Sequence, residues 1–481
     1  MHDTAATPRL LVVVADGVRP DVLADEIAKG RVPALAQLRD AGGLHEITAS
    51  FPSVTGPAYV PFVMGRHPAT VGMPGLRWYD RARSLRWSPA QARSYVGIDI
   101  WHTDGDLDTG APTLFELARP SLAGLMMIGR GATHGRIGRG VSWMFRAGYV
   151  HFRGDSAGWR GLEHVATRQF MKRFARTRPR LSMLGVLSPD KFAHAYGADA
   201  EIVRLGIRDV DAAVARAWQI ASDGGWRDSL RVWVVGDHGH APVSQHDDLH
   251  GWLTSRGHRV LAHPQLSVRN PDVALMVGGN AMAHVYLDPA ERTRRWWPAL
   301  SATWGPLLEE LIVRESSDLV AVAIDARTVR VHHATRGEAD VQQTGTGATA
   351  RWSYRPLHGD PLLLGGEHDA LDADAAWTLC AASPYPDALV QLVSLVTALR
   401  SGDIVISAAD GWDLRARFEP TPHVSTHGGL LRDQMMVPLL LDAPPSRTPQ
   451  RTTDVVPSAV ELLGVGTDRT TPLTFDGRSF L

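Results

Sequence analysis

Seven side chains in five short stretches supply the donors that a two-metal phosphoryl-transfer site requires. Asp16 ends the apolar run LLVVVAD, Thr55 stands in FPSVTGP, and Asp190 and His194 share SPDKFAHAYG. Asp237 and His238 are adjacent in VVGDHGH, and His427 lies in STHGG. A zinc-like ion takes roughly three or four nitrogen and oxygen ligands from imidazoles and carboxylates. Three carboxylates, three imidazoles and one hydroxyl are enough for two ions with a nucleophile held between them. A threonine hydroxyl becomes a nucleophile only when a base or a metal ion takes its proton. Gly56 lets the backbone approach an anion closely, and Pro57 suits the first turn of a helix. Thr55 is therefore expected at a helix N-terminus, where free N–H groups favour phosphate oxygens.

Singly, each block has a plainer reading. Thr55 alone reads as a helix N-cap. Asp190 and His194, four residues apart, face one ion only if their segment turns helically after the strand. Asp237 and His238 would point apart on an extended strand, but on a loop they can converge on one ion or serve two. DHG by itself is a polar turn. His423 competes with His427 in the same segment, and nothing local separates the two.

The elements that must position these residues have a regular order. Residues 11–16, 181–190 and 230–237 are apolar, β-rich runs that each end in Asp. Such continuous apolar runs fit strands buried on both faces of a parallel sheet. Helical patterns lie between them at 32–42, 164–178 and 200–225. The alternation predicts an α/β fold: a central, mostly parallel β-sheet with helices on both faces. Ligands in such sheets gather at the carboxyl ends of the strands, where the three Asp residues fall. From about 260 to 420 the pattern changes to hairpins with Gly- and Thr-rich turns and one helical stretch around 291–315. This predicts a catalytic core of 8–260 and 421–481, interrupted by an inserted α+β cap, 261–420, that selects substrate. The Gly- and Arg-rich stretch 96–160 reads as loop-heavy.

Composition narrows the classes. A net charge of −1 gives no global field for duplex nucleic acid or an anionic membrane. The single Cys380 excludes a disulfide framework and a thiolate zinc cluster, leaving metal binding to His and carboxylates. The opening MHDTAATPRLLVVVADG lacks the length and cleavage site of a signal peptide, and no stretch is long enough to span a bilayer. The expectation is a soluble, cytoplasmic protein with a small-molecule partner; the sequence carries no signal for an oligomeric state.

Taken in order, DG after the first strand, FPSVT-x-P, D-x-x-x-H-x-x-G, DHG and a late HG resemble the alkaline phosphatase superfamily, in particular its type I phosphodiesterase / nucleotide pyrophosphatase branch. STHGGLLRDQMMVPLLL also resembles the phosphonoacetate hydrolases of that superfamily. The resemblance covers the core, about two thirds of the chain. It implies that Asp190, His194 and His427 hold one ion, and that Asp16, Asp237 and His238 hold the other with the Thr55 oxygen beside it. Matching the family's HG position selects His427 over His423. It further implies two divalent ions, zinc first with manganese or iron as alternatives. The implied reaction is double displacement through a phosphothreonine, with the Gly56 N–H available to a phosphoryl oxygen.

There are departures from the family pattern. Nucleotide-cleaving members place an Asn about twenty residues after the nucleophile, where this chain has Leu76. A Thr nucleophile favours diester or phosphonate chemistry over the Ser-using monoesterases, and the sulfatase motif is absent. Asp104, Asp106 and Asp108 resemble the start of a calcium loop but lack its Gly and closing Glu, which predicts a solvated loop. GRGATHGRIGRG (129–140) resembles a phosphate loop without a clear strand before it or helix after it, though Arg130, Arg136 and Arg139 could reach the site. Trp78, Trp296 and Trp297 are read as buried core in preference to pocket walls. The leading reading is a metal-dependent hydrolase of phosphodiesters or pyrophosphates. The rivals are a phosphonate hydrolase, a phosphomonoesterase and, remotely, a non-catalytic metal-binding protein of the same fold.

Overall fold

Seven strands form the sheet on which most of the donor residues stand. In a computed structural model that describes residues 7–82, 91–417, 419, 422–466 and 472–481, Arg9–Ala15 lies at the centre. It is flanked in parallel by Leu181–Val186 and Leu230–Val235. Ser121–Gly124 and Arg136–Ile137 extend one side in parallel. Met436–Leu440 and Leu44–Thr48 close the other side antiparallel. Along the central strand Leu10, Val12 and Val14 enter one hydrophobic cluster, while Leu11, Val13 and Ala15 enter another. That alternation with both faces buried is what a continuous apolar run gives in a parallel strand. Each such fully buried Val or Leu is worth about 1.5–3 kcal/mol, so the strand ends form a rigid platform.

Helices cover both faces as expected. Pro33–Gly42, Ser156–Thr177 and Glu201–Asp223 occupy the three predicted stretches. Glu201–Asp223 buries Val203, Ile207, Val210, Val214 and Ala217, the 3–4 spacing of one helical face. Residues 96–160 are more ordered than expected. They contain the strands Ser121–Gly124 and Arg136–Ile137 and the helix Val141–Phe152, so 129–140 does follow a strand and precede a helix. The reason is visible on the helix: only Ala147 and Val150 are buried, while Val141, Phe145, Tyr149 and Phe152 face outward. Its apolar side is therefore not its buried side. The acidic trio is not a solvated loop either. Asp106 is buried and receives hydrogen bonds from Arg93 and Tyr95, and Asp104 accepts from Gly129 and Arg136.

A second sheet of nine strands is drawn wholly from residues 260–408. Its neighbours run antiparallel except for the edge pair Val260–Ala262 and Val273–Gly278. The Gly279-Asn280 turn between Val273–Gly278 and Met282–Leu287 docks on the late His427 segment: Ala281 N donates to His427 O at 3.0 Å, and Thr426 Oγ1 to Gly279 O at 2.7 Å. A small third sheet pairs Ser425–Thr426 antiparallel with Ala241–His246, which brings the segments carrying His240 and His427 side by side. Trp78 and Trp297 are buried as read from the sequence, whereas Trp296 is half-buried.

Candidate metal centre

The register of the sheet explains why three distant Asp residues meet. Ala15 lies beside Val186 and Val14 beside Val235, so the chain leaves all three strands at one edge. Asp16 follows its strand directly, and Asp237 sits two residues beyond Val235. Asp190 is reached through the helix Ser188–Tyr196, which begins just after its strand and turns Asp190 and His194 to the same side. That helix is anchored by the buried Glu163, whose carboxyl accepts from Leu187 N, Ser188 N and Ser188 Oγ at 2.6–2.9 Å. Burial pushes the Glu163 carboxyl up to about 7 against those bonds. Gly17 has φ +69°, and a Cβ there would lie 2.8 Å from Asp190 Cα. The glycine is what lets the first and second donor segments approach.

One half of the cluster is acidic. Asp16 Oδ2 accepts from Tyr59 Oη at 2.7 Å, and Asp237 Oδ1 accepts from Gly17 N at 3.1 Å. His238 Nε2 stands 3.5 Å from Asp16 Oδ1 and 3.4 Å from Asp237 Oδ2. Thr55 Oγ1 is 3.3 Å from Asp16 Oδ1 and 3.0 Å from His238 Nε2. Gly56, at φ +100°, caps the 3₁₀ turn Pro57–Tyr59 that runs into the short helix Val60–Met64. A Cβ on Gly56 would meet Met127 Sδ at 2.5 Å and Leu76 Cδ1 at 3.8 Å, so the wall beside the nucleophile is apolar there.

The other half is rich in imidazole. His194 Nε2 lies 3.3 Å from Asp190 Oδ1 and 3.1 Å from His427 Nε2, which is itself 3.4 Å from Asp190 Oδ1. The rings of His238 and His427 stack at 3.6 Å and join the halves. Within 4.8 Å of one another lie donor atoms of Asp190, His238, His240 and His427, and likewise of Asp16, Asp237 and His238. Neither His194 nor His423 is in either group; His194 joins through its distances to Asp190 and His427 alone. His423 Nδ1 meets Asn280 Nδ2 at 3.0 Å, and its ring stacks on His194 at 4.2 Å.

The chemistry of the donor set fits metal ions. His194 Nδ1 faces Ser425 O, His238 Nδ1 faces Gly239 O, and His427 Nδ1 faces Ser53 O, at 2.8–3.1 Å. A carbonyl only accepts, so each Nδ1 carries the proton and each Nε2 turns a bare lone pair into the cluster. The lone pairs of His194 and His427 then oppose each other at 3.1 Å, an arrangement that a cation between them relieves. Asp237 Oδ2 is buried without a hydrogen-bond partner among the described residues. Burial, then the charges of Asp237 and Asp190, raise the Asp16 carboxyl well above the usual range. Burial pushes Asp237 up to about 8. Asp190 goes the other way, because His194, His240 and His427 outweigh its burial. Burial brings His238 and His240 down to about 4 and holds His427 well below its ordinary value.

The structure thus brings together Asp16, Thr55, Asp190, His194, Asp237, His238 and His427. Arg130, Arg136 and Arg139 are instead engaged with Glu116, Asp104 and loop carbonyls. Two participants were missed from the sequence. Tyr59 orients Asp16, and His240 lies with Nε2 3.0 Å from Asp190 Oδ1 and Nδ1 3.1 Å from Ser425 Oγ. The signal for His240 was present in DHGH: residues two apart on extended chain point to the same side.

The family model described as type I phosphodiesterase / nucleotide pyrophosphatase matches residues 10–430. The chain belongs to this family. As a type I phosphodiesterase / nucleotide pyrophosphatase family member it is an enzyme, a phosphoester hydrolase. Among solved structures it is similar to the phosphonoacetate hydrolase of Sinorhizobium meliloti 1021 in complex with phosphonoacetate, at 15% identity and TM-score 0.54, covering 95% of this chain and 96% of that one. It is also similar to murine ectonucleotide pyrophosphatase / phosphodiesterase 5, an inactive variant in complex with AMP, at 14% identity and TM-score 0.58, covering 96% and 97%. The human counterpart gives 14% identity and TM-score 0.56, covering 96% of each chain. These likenesses place the fold among alkaline phosphatase-like enzymes. No curated protein matches the chain. No helix among the described residues is long and apolar enough to cross a membrane.

Proposed function

We propose that this family member hydrolyses phosphodiesters or pyrophosphates of small molecules, with two divalent ions, zinc first, and Thr55 as the nucleophile. The observation that carries the reading is that three imidazoles, each fixed by a backbone carbonyl, turn their Nε2 atoms into one space, with Thr55 Oγ1 3.0 Å from one of them. Asp16, Asp237 and His238 would hold one ion, and Asp190, His194 and His427 the other. When bound, such ions lower the pKa of the threonine hydroxyl and neutralise charge on the phosphoryl oxygens. Thr55 Oγ1 attacks phosphorus; the Oγ1–P bond forms as the P–O bond to the leaving group breaks. Water then cleaves Oγ1–P and restores the hydroxyl. Tyr59 and Gly17 keep Asp16 and Asp237 in place through both steps, and the Gly56 N–H is available to a phosphoryl oxygen.

The unit 8–260 with 421–481 carries this chemistry, and 261–420 selects the substrate. The site operates in the cytoplasm on a soluble substrate. A second reading, cleavage of a C–P bond in a phosphonate, is favoured by the apolar Leu76 and Met127 beside Gly56, where nucleotide-cleaving relatives are expected to present an amide. The test is kcat/KM of zinc-loaded protein on bis(p-nitrophenyl) phosphate against p-nitrophenyl phosphate. Preference for the diester is the expected result, and preference for the monoester would reject it. Silence on both, with hydrolysis of a phosphonate, would establish the second reading.

A further inference from the structure

Outside the metal centre the molecule buries a guanidinium that forms no salt bridge among the described residues, the Glu419 carboxylate acting on it only through space. Arg77 is 8% exposed, on the short strand Arg77–Tyr79 that pairs with Ala92–Ser94. Its Nη1 donates to Val277 O at 3.0 Å, and its Nε is buried with no partner among the described residues. A buried charge without a matching charge is costly, and breaking a buried pair leaves that cost uncompensated. The side chain lines a cavity of about 30 Å³ that it shares with Arg415, Arg417 and His263. The carboxylates nearby are already engaged: Glu419 lies 2.7 Å from Arg415 Nη1, and Asp248 pairs with Arg417. His263 Nδ1 and His250 Nδ1, also on this cavity, are buried and unpartnered among the described residues. Burial, then the like charge of Arg415, draws Arg77 down to about 9, so it remains a cation at neutral pH.

We propose that this cavity is a binding site for a compact oxyanion, a carboxylate or a phosphate group, held chiefly by Arg77 with Arg415. The space takes about two water-sized atoms, which suits the two oxygens of a carboxylate, or two oxygens of a phosphate whose remainder stays at the mouth, and is too small for a nucleoside. A guanidinium with free N–H groups is the side chain that binds such planar or tetrahedral anions through two parallel hydrogen bonds. The cavity is linked to the imidazole-rich half of the metal centre through Asn280 and His423. Val277 precedes the Gly279-Asn280 turn, Leu414 N donates to Asn280 O at 2.8 Å, and Asn280 Nδ2 meets His423, which stacks on His194. The oxyanion has two possible sources: a second anionic group of the substrate, or a free anion.

The first test does not depend on the proposed reaction. Inorganic phosphate is titrated calorimetrically into the full chain stripped of metal with chelator. One site is expected in the wild type, at least about ten-fold weaker in Arg77→Gln, as for loss of a charge-assisted bond, and unchanged in His427→Ala. No binding by the wild type up to about 10 mM (weaker than this is not a specific site), or equal affinity in a folded Arg77→Gln, overturns the proposal. Should that variant not fold, Arg415→Gln takes its place: weaker phosphate binding is expected, and equal affinity in the folded variant overturns the proposal. Kinetics of the zinc-loaded enzyme then separate the sources. A KM that rises in Arg77→Gln only for diesters bearing a second carboxylate or phosphate assigns the site to substrate. A KM unmoved for every diester, with phosphate still bound in the wild type, assigns it to a free anion. Absence of turnover on any ester would count against the proposed reaction and leave the titration untouched.

Discussion

The two halves of the metal centre are built from the same residue types in opposite proportions. Around Asp16 and Asp237, two carboxylates share one imidazole, and burial raises both acids, Asp237 to about 8. Around Asp190, a single carboxylate faces His194, His240 and His427, and its acidity is strengthened instead. The acidic half therefore keeps protons that an unfolded chain would release, and the imidazole half refuses protons that an unfolded chain would take. A cation satisfies both, by replacing the retained protons in one half and by filling the space between opposed lone pairs in the other. In the proposed reading, one metal-binding function is prepared by two different electrostatic deficits.

The change with the largest expected effect spares both halves. Thr55→Ala should lower kcat by roughly 10⁴-fold or more while metal content measured by mass spectrometry stays at the wild-type level. Full activity in that variant would remove Thr55 from the mechanism. Next come changes that disable one half each. Asp237→Asn and His427→Ala should each reduce bound zinc toward one ion per chain, with kcat/KM down about 10²–10³-fold. Loss of both ions from either variant would show that the halves are not independent sites.

The pH dependence of the metal-free protein sharpens the contrast. An acid raised from about 3.9 in the unfolded chain to about 8 when folded binds more protons in the native state, so stability falls as pH rises through that window. His240, lowered from about 6.5 to about 4, does the reverse: below about 6.5 the unfolded chain gains protons first, and stability falls as pH drops. The melting temperature should thus decline on both sides of a maximum between about pH 5 and 7. Asp237→Asn should flatten the alkaline limb and leave the acid limb in place; a limb that persists unchanged would contradict the assignment.

Smaller effects are expected around the ligands. His240 donates Nε2–H toward Asp190, so His240→Ala should weaken zinc affinity about 10–100-fold, and His240→Gln, which keeps an N–H donor, should recover part of it. His423→Ala should change zinc content and affinity by less than about two-fold, the range of a surface-like substitution with no ligand role.

The acidic half was the more legible in sequence. Asp16 and Asp237 stand at the ends of apolar runs, and a strand end is a local feature that needs no knowledge of the rest of the chain. The imidazole half was legible only in part. Asp190 and His194 announce themselves by helical spacing, but choosing His427 over His423 from the residues alone would have required the Ser53 carbonyl, 374 residues from His427, and the Asn280 turn, 143 residues from His423. His240 was hidden because DHGH reads as a turn. The helix Val141–Phe152 escaped because its large apolar residues face outward, against the rule by which amphipathic helices are recognised. Arg77 was silent in sequence, since a buried guanidinium with no salt bridge among the described residues is defined by what fails to surround it.

The docking of the Gly279-Asn280 turn against the His427 segment has a consequence for biogenesis. Domains generally form in order of synthesis, N-terminal portions first. Asp16, Thr55, Asp190, Asp237 and His238 are all translated before the second sheet, whereas His427 follows it and is seated on one of its turns. A nascent chain can thus complete the acidic half while the other half, with Asp190, His194 and His240 already made, still lacks His427. In the proposed two-ion reading, the second set of ligands closes only when His427 has been made, after every other ligand, so the order of loading follows the order of the chain.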